Sequence, residues 1–274
     1  MRRLSLVVAL LGVAVAASAG GHERTVVDSF SAPGDWPKGT VWVDDGGDGF
    51  LYHVDDQLST AYSMTVEGAW AELFDVGVLF GEDDVLMAAG LCLVPEEPFA
   101  HLFITDTQGH QSQSMYDMIY QVTTNGTLID TFGVEWFCDN VTGICHDGSD
   151  FWLCSYWGDV FRCDESFHPL ETFELPGCTP QGMDYDAERG LFYIVNRIDY
   201  QTGRIEVRDG DMALLDWFEP PAGAPYGISI GRVVGEQRTL WLTDTGTNLV
   251  YEIVDEHYTP VEPASWSSVK SLFR

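Results

Sequence analysis

The sequence of 274 residues predicts an all-β fold, a closed β-propeller of five four-stranded blades. Three recurring patterns carry this prediction. They are a hairpin of alternating residues around an Asp/Gly turn, a glycine-marked strand ahead of it, and an acid-centred strand behind it. Recurrence at roughly 40–50 residues is the spacing of propeller blades.

The hairpin comes first. Residues 240–254, LWLTDTGTNLVYEIV, superpose without a gap on residues 41–55, VWVDDGGDGFLYHVD, placing Trp42 on Trp241, Asp45 on Asp244 and Tyr52 on Tyr251. Large apolar and polar residues alternate on each side of the turn, the period of a strand with one buried face. Related hairpins are read at residues 101–122, 151–164 and 191–208. No 3.6-residue periodicity is sustained anywhere, so a helical reading fails.

The second pattern is a glycine that opens an inner strand: Gly90-Leu91-Cys92, Gly143-Ile144-Cys145, Gly182-Met183-Asp184 and Gly227-Ile228-Ser229. Pro180-Gln181-Gly182 and Pro225-Tyr226-Gly227 extend it to Pro-x-Gly, and Pro37-Lys38-Gly39 is read as a fifth copy with a truncated strand. The five glycines are 51, 53, 39 and 45 residues apart. Glycine permits close backbone approach where inner strands crowd an axis.

The third pattern is an apolar pair, an acid, one residue and Phe. It occurs around Asp28, Asp130, Glu171 and Asp216, placing the acid 11, 13, 11 and 11 residues before the next glycine. The first copy, residues 24–31, precedes any inner strand, and the last repeat has no such strand after Val254. A ring closed by the N-terminal strand resolves both facts and protects the sheet edges. Residues 67–85 are surplus to five blades and would supply a degenerate sixth.

The ends and the composition define the context. Met1-Arg2-Arg3, an apolar run and Ala17-Ser18-Ala19 describe a secretory signal peptide over residues 1–19, followed by a propeller over 20–260 and a tail over 261–274. The protein is therefore expected to be secreted, or held in the periplasm or cell envelope, as a monomer. Its formal charge is −30, becoming −32 once Arg2 and Arg3 are removed, and Lys38 and Lys270 are the two lysines. Such a surface repels phosphate backbones, which argues against nucleic acid as a partner, and it would attract Ca²⁺ if any cofactor. No apolar run is long enough to span a membrane. Six cysteines in an exported chain permit disulfides, and Cys138–Cys178 is the expected first pair because both fall in equivalent turns of neighbouring repeats.

The Pro-x-Gly strand followed by LWLTDTGTNLVYEI resembles the NHL/regucalcin-type, gluconolactonase-like superfamily of propellers. The resemblance covers most of the chain and implies a ligand face over the axis. It also implies that a metal-dependent lactonase would carry Asn or Asp in the middle of the Pro-x-Gly turns. Lys38, Gln181 and Tyr226 stand there instead, and none is a good ligand for a divalent metal. Exported five-bladed glutaminyl cyclases offer a second enzymatic analogy.

In this architecture the outer-to-inner loops and the central hairpin turns emerge on one face. The hairpin aspartates, Asp44, Asp45, Asp48 and Asp244 among them, are read as emerging there. Asp and Asn favour tight turns for structural reasons, so residues that break the repeat are the better candidates. His110 in an expanded turn, Tyr156, Trp157, Arg197, Gln181, Tyr226 and Asp244 are the expected ligand contacts. The leading expectation is a non-catalytic exported propeller binding a glycan, peptide or protein partner. The alternative is a lactonase-like hydrolase or a glutaminyl-cyclase-like cyclase, for which Asp184, His146 and Glu135 would have to converge on the axial funnel.

Overall fold

A computed structural model describes residues 23–79, 87–95, 100–107, 117–199 and 202–257. The expected signal peptide, the tail 261–274 and His110 lie outside the described residues. The described strands form five four-stranded antiparallel sheets arranged as propeller blades.

Strand β1 (Val26–Ser31) is the outer strand of the last blade. Blade one comprises β2 (Pro37–Val43), β3 (Phe50–Asp55), β4 (Thr60–Thr65) and β5 (Trp70–Asp75), which leads into the helical turn α1 (Val76–Leu79). Blade two holds β6 (Ala88–Val94), β7 (His101–Asp106), β8 (Met118–Thr123) and β9 (Leu128–Gly133). Blade three holds β10 (Val141–His146), β11 (Phe151–Ser155), β12 (Asp159–Cys163) and β13 (Pro169–Glu174). Blade four holds β14 (Pro180–Asp186), β15 (Leu191–Arg197), β16 (Gly203–Arg208) and β17 (Leu214–Phe218). Blade five is β18 (Pro225–Val234), β19 (Gln237–Asp244) and β20 (Leu249–Asp255), completed by β1, with Ser29 opposite Tyr251 and Ser31 opposite Leu249. Ring closure by the N-terminal strand is therefore the observed topology.

One part of the repeat is shifted. Residues 240–254 span the second and third strands of their blade, whereas residues 41–55 span the first and second. The copy Pro37-Lys38-Gly39 opens a full inner strand, not a truncated one. The surplus segment contains the missing outer strand, because Trp70-Ala71-Glu72-Leu73-Phe74 is a fifth copy of the acid-centred pattern. Its acid stands 18 residues before Gly90, a longer interval than in the other copies. Among the described residues there are five blades and no sixth.

Apolar side chains from facing sheets pack between each pair of neighbouring blades. Leu91, Leu102 and Val122 meet Val41, Tyr52 and Val54 between blades one and two, and Tyr193, Val195 and Ile205 meet Ile228, Leu240 and Leu242 between four and five. Near the axis the wedge narrows until backbone meets backbone. A Cβ on Gly90 would lie 2.9 Å from Gly143 Cα, and one on Gly143 would lie 2.9 Å from Gly182 Cα. Gly39 faces Gly90, Gly182 faces Gly227, and Gly227 faces Lys38 and Thr40, so the five glycines close a ring. The void among them is about 10 Å³, room for roughly one water.

The expected Cys138–Cys178 disulfide is not formed, and all six cysteines are free. Equivalent turns of neighbouring blades sit one blade apart. Cys138 points into the core between blades two and three, while Cys178 lies at the next seam against Glu206 and Arg208. Burial pushes the Cys92, Cys138 and Cys145 thiols well up, so they behave as packed apolar side chains.

Candidate functional site

The two faces of the ring differ. The most exposed tryptophans, Trp36 (50%), Trp136 (62%) and Trp157 (56%), all stand in outer-to-inner loops or central turns of one face, with Leu58, Met87 and Ile198. Among the described residues the opposite face exposes Val233 and Val234 in the β18–β19 hairpin. Asp44, Asp45 and Asp48 fall in the β2–β3 turn on that opposite face, not on the aromatic one. There Asp44 and Asp45 accept the amides of Gly46 and Gly47, each at 2.9 Å, as turn residues do.

At the mouth of the axis, the residues preceding the five glycines are Lys38, Ala89, Thr142, Gln181 and Tyr226. Lys38 is the charged one. Its Nζ lies 3.7 Å from the centroid of the Tyr226 ring and 5.4 Å from that of Trp36, and 3.7 Å from Asp56 Oδ2. Lys38 and Asp56 are each only 6% exposed. Burial, reinforced by the like charge of Arg197, lowers the Lys38 pKa to about 8 against the pull of Asp56. Burial also raises the pKa of Asp56, with Lys38 opposing it. Burial thus pushes each partner toward its neutral form, while their mutual attraction opposes it.

Tyr226 is buried against Lys38, and the charge of Arg197 acts on both, so two of the expected ligand residues lie around Lys38. Trp157 packs edge-on against Tyr156 at 5.3 Å, presenting its exposed ring on the same face. Gln181 belongs to the mouth, but its Nε2 donates to Thr179 O and Pro180 O, which fixes the start of its own strand. Asp56 escaped the sequence reading because the first blade was shifted by one strand. In the correct register it occupies the central turn, immediately after the last residue of β3.

Asp244 is a structural residue. It is 2% exposed, its Oδ2 accepts the Ala224 amide at 2.8 Å, and its Oδ1 accepts from Gly246 and Thr247. Asp55 and Asp106, which end the second strands of their blades, and Asn196, one residue before the end of its own, act in the same way, taking the amides of Trp36, Met87 and Thr179. Each clamps an incoming loop just ahead of an inner strand. In blade three Ser155 stands at this position, and Asp117 of blade two takes the corresponding amide, that of Asn140.

The proposed catalytic trio does not converge. Glu135 lies in the β9–β10 loop on the aromatic face, whereas His146 ends β10 on the opposite face, where its ring meets Phe151 at 4.8 Å. Asp184 lies two residues below Gly182, facing the next blade. Its Oδ2 accepts from Ile230 N at 2.7 Å and Ser229 Oγ at 3.1 Å, and Ser229 Oγ accepts from Trp42 N at 2.8 Å. This polar relay staples the inner strands of blades four, five and one.

Burial raises the Asp184 pKa to about 6, against the amides of Ile230 and Tyr185 and the Ser229 hydroxyl, which favour its anion. A carboxyl raised on folding contributes stability that is complete below its unfolded pKa and is lost as pH rises through about 6. Wild type should therefore gain on the order of 2–3 kcal/mol relative to Asp184→Asn as pH falls from 7 to 4. Urea titrations of both proteins across that range check this, and parallel curves would refute it.

No protein-family model and no curated protein matches the chain. Solved structures do match in fold. The crystal structure of Myxococcus xanthus glutaminyl cyclase aligns with TM-score 0.60 at 10% identity, over 86% of this chain and 100% of that one. Regucalcin, a calcium-binding protein from Agrobacterium tumefaciens, aligns with TM-score 0.53 at 13% identity, over 89% and 99%. A gluconolactonase from Xanthomonas campestris aligns with TM-score 0.52 at 13% identity, over 80% and 86%. At these identities the likeness is one of fold. Among the described residues, no three His, Cys, Asp or Glu side chains are grouped to hold a metal ion, and no helix is long and apolar enough to cross a membrane.

Proposed function

We propose that this chain is an exported propeller that binds a small polar ligand or a peptide end over its axis, on the aromatic face. The buried Lys38–Asp56 pair at the mouth carries the reading. Two ionisable groups taken from water with weak mutual contact at 3.7 Å are costly. A ligand that hydrogen-bonds both would recover part of that cost. Trp36 and Tyr226 supply the apolar walls, Arg197 a second cation, and Trp157 an aromatic rim, the mixture common to small-molecule sites. Screening a panel of organic acids, amino acids and short peptides by thermal shift and calorimetry should return ligands whose affinity falls at least tenfold in Lys38→Met. Hits that bind Lys38→Met as tightly as wild type would end this reading.

Catalysis is the second reading, favoured by the opposing pKa shifts of Lys38 and Asp56. Enzymes place such pairs where a proton must be taken and returned near neutral pH. The glutaminyl cyclase and gluconolactonase neighbours agree with it. Between the two, the cyclase form suits this mouth better, because Lys38, Gln181 and Tyr226 form a poor donor set for a divalent metal. Turnover of a peptide with N-terminal glutamine should then rise with pH through a midpoint near 8, as Lys38 loses its proton, and vanish in Lys38→Met. Turnover that is flat in pH or persists in that variant would leave binding alone.

A further inference from the structure

A second concavity lies outward from the axis on blade four, under the loop that leads to blade five. Its volume is about 420 Å³, and Thr202, Arg204, Trp217, Glu219, Pro220 and Pro221 are among its walls. That volume falls within the range of about 300–1,000 Å³ usual for small-ligand sites. The walls are rigid for identifiable reasons. Arg204 donates from Nε at 2.7 Å to Glu206 Oε1, and that fully buried carboxylate is also held by Asn196 Nδ2 and Arg208 Nε, each at 2.7 Å. The Arg204 guanidinium lies 5.7 Å from the centroid of the Trp217 ring and keeps 29% of its side chain exposed. Thr202 is fixed by its turn, its carbonyl taking the amide of Ile198 at 2.9 Å while its own amide donates to Asp199 Oδ1 at 2.8 Å. Prolines 220 and 221 fix φ along the facing wall.

From this composition we infer that the concavity is a saccharide-binding site. A cation and an anion, Arg204 and Glu219, line one small space. An anionic ligand would meet Glu219 and the strongly negative surface, a cationic one would meet Arg204, and an apolar one would leave the hydrogen-bonding capacity of both unused. A neutral polyol satisfies both, since each hydroxyl donates to a carboxylate and accepts from a guanidinium. The indole of Trp217 and the proline rings match the C–H face of a sugar ring, and the preformed walls spare the ligand the cost of ordering them. The site is distinct from the axial mouth, because none of its walls includes Lys38, Asp56 or Tyr226.

Titrating the whole protein with glucose, galactose, N-acetylglucosamine and their β-1,4-linked tetrasaccharides, followed by calorimetry and NMR, tests this. At least one should bind saturably, with affinity reduced tenfold or more by Trp217→Ala and several-fold by Glu219→Gln, and unchanged by Lys38→Met. Trp217→Phe, which keeps an aromatic wall, should retain part of the affinity and separates loss of the site from loss of the fold. No saturable binding by any of these sugars would overturn the assignment. So would binding that survives Trp217→Ala, or binding abolished by Lys38→Met, which would place the sugar at the axis and support the reading of that mouth instead.

Discussion

Arg238→Met should destabilise the propeller by about 3–5 kcal/mol, the loss seen when one partner of a buried ion network is removed. Arg238 is 4% exposed at the start of β19 and ties blade five to blade four. It donates to both oxygens of Asp186, at 2.9 and 2.7 Å, and from Nη2 to Asp255 Oδ2 at 2.9 Å. Arg189 also reaches Asp255, at 2.7 Å, but its side chain is 17% exposed. Without Arg238, two carboxylates that are each 2% exposed would share the single cation of Arg189. Equilibrium urea unfolding reads the effect as a lowered midpoint at unchanged slope. A loss below about 1 kcal/mol would show that the network is dispensable, the value typical of surface pairs.

The second large effect is expected at the glycine ring. A methyl on Gly143 would sit 2.7 Å from Cys154 Sγ, 2.9 Å from Gly182 Cα and 3.1 Å from Met183 N. Two of those three neighbours are backbone atoms of the next blade, which cannot turn aside as a side chain does. Gly143→Ala should therefore cost about 1–3 kcal/mol by overpacking, or roughly 2–10 °C in Tm for a chain of this size. Gly210→Ala is the control, since a Cβ there meets nothing within 4 Å. Equal melting of the two variants would refute crowding at the axis.

The repeat was legible because blade geometry imposes it chemically. Glycine is needed where backbones touch, an Asp or Asn where an incoming loop is clamped, and an apolar pair with an acid on the outer strand. The first blade was misregistered because any two antiparallel strands around an Asp/Gly turn look alike, whichever pair of the four they are. The copy at Trp70-Ala71-Glu72-Leu73-Phe74 could have corrected this, but its longer distance to Gly90 hid it. The site was less legible. Tyr226, expected from its place in a Pro-x-Gly turn, and Arg197, expected because it is peculiar to its blade, do lie near Lys38, yet Asp56 depended on the strand register. Asp184, His146 and Glu135 were chosen by residue type alone, and strand direction places two of them on opposite faces. The blade-four concavity joins residues from a turn, an outer strand and a loop, which no local pattern links.

The closing strand also sets an order of events. Ser29 and its partner Tyr251 are separated by nearly the whole propeller, so no early portion of a growing chain can complete the ring. At about 5–20 residues per second, β1 waits on the order of ten seconds or more for β20 to be made. Throughout that interval it carries an unpaired edge with Val26 and Val27, and Glu23 and Asp28 flank that pair as charged gatekeepers against adhesion to other chains. A latch that can only shut last leaves the ring open until the final blade has been made.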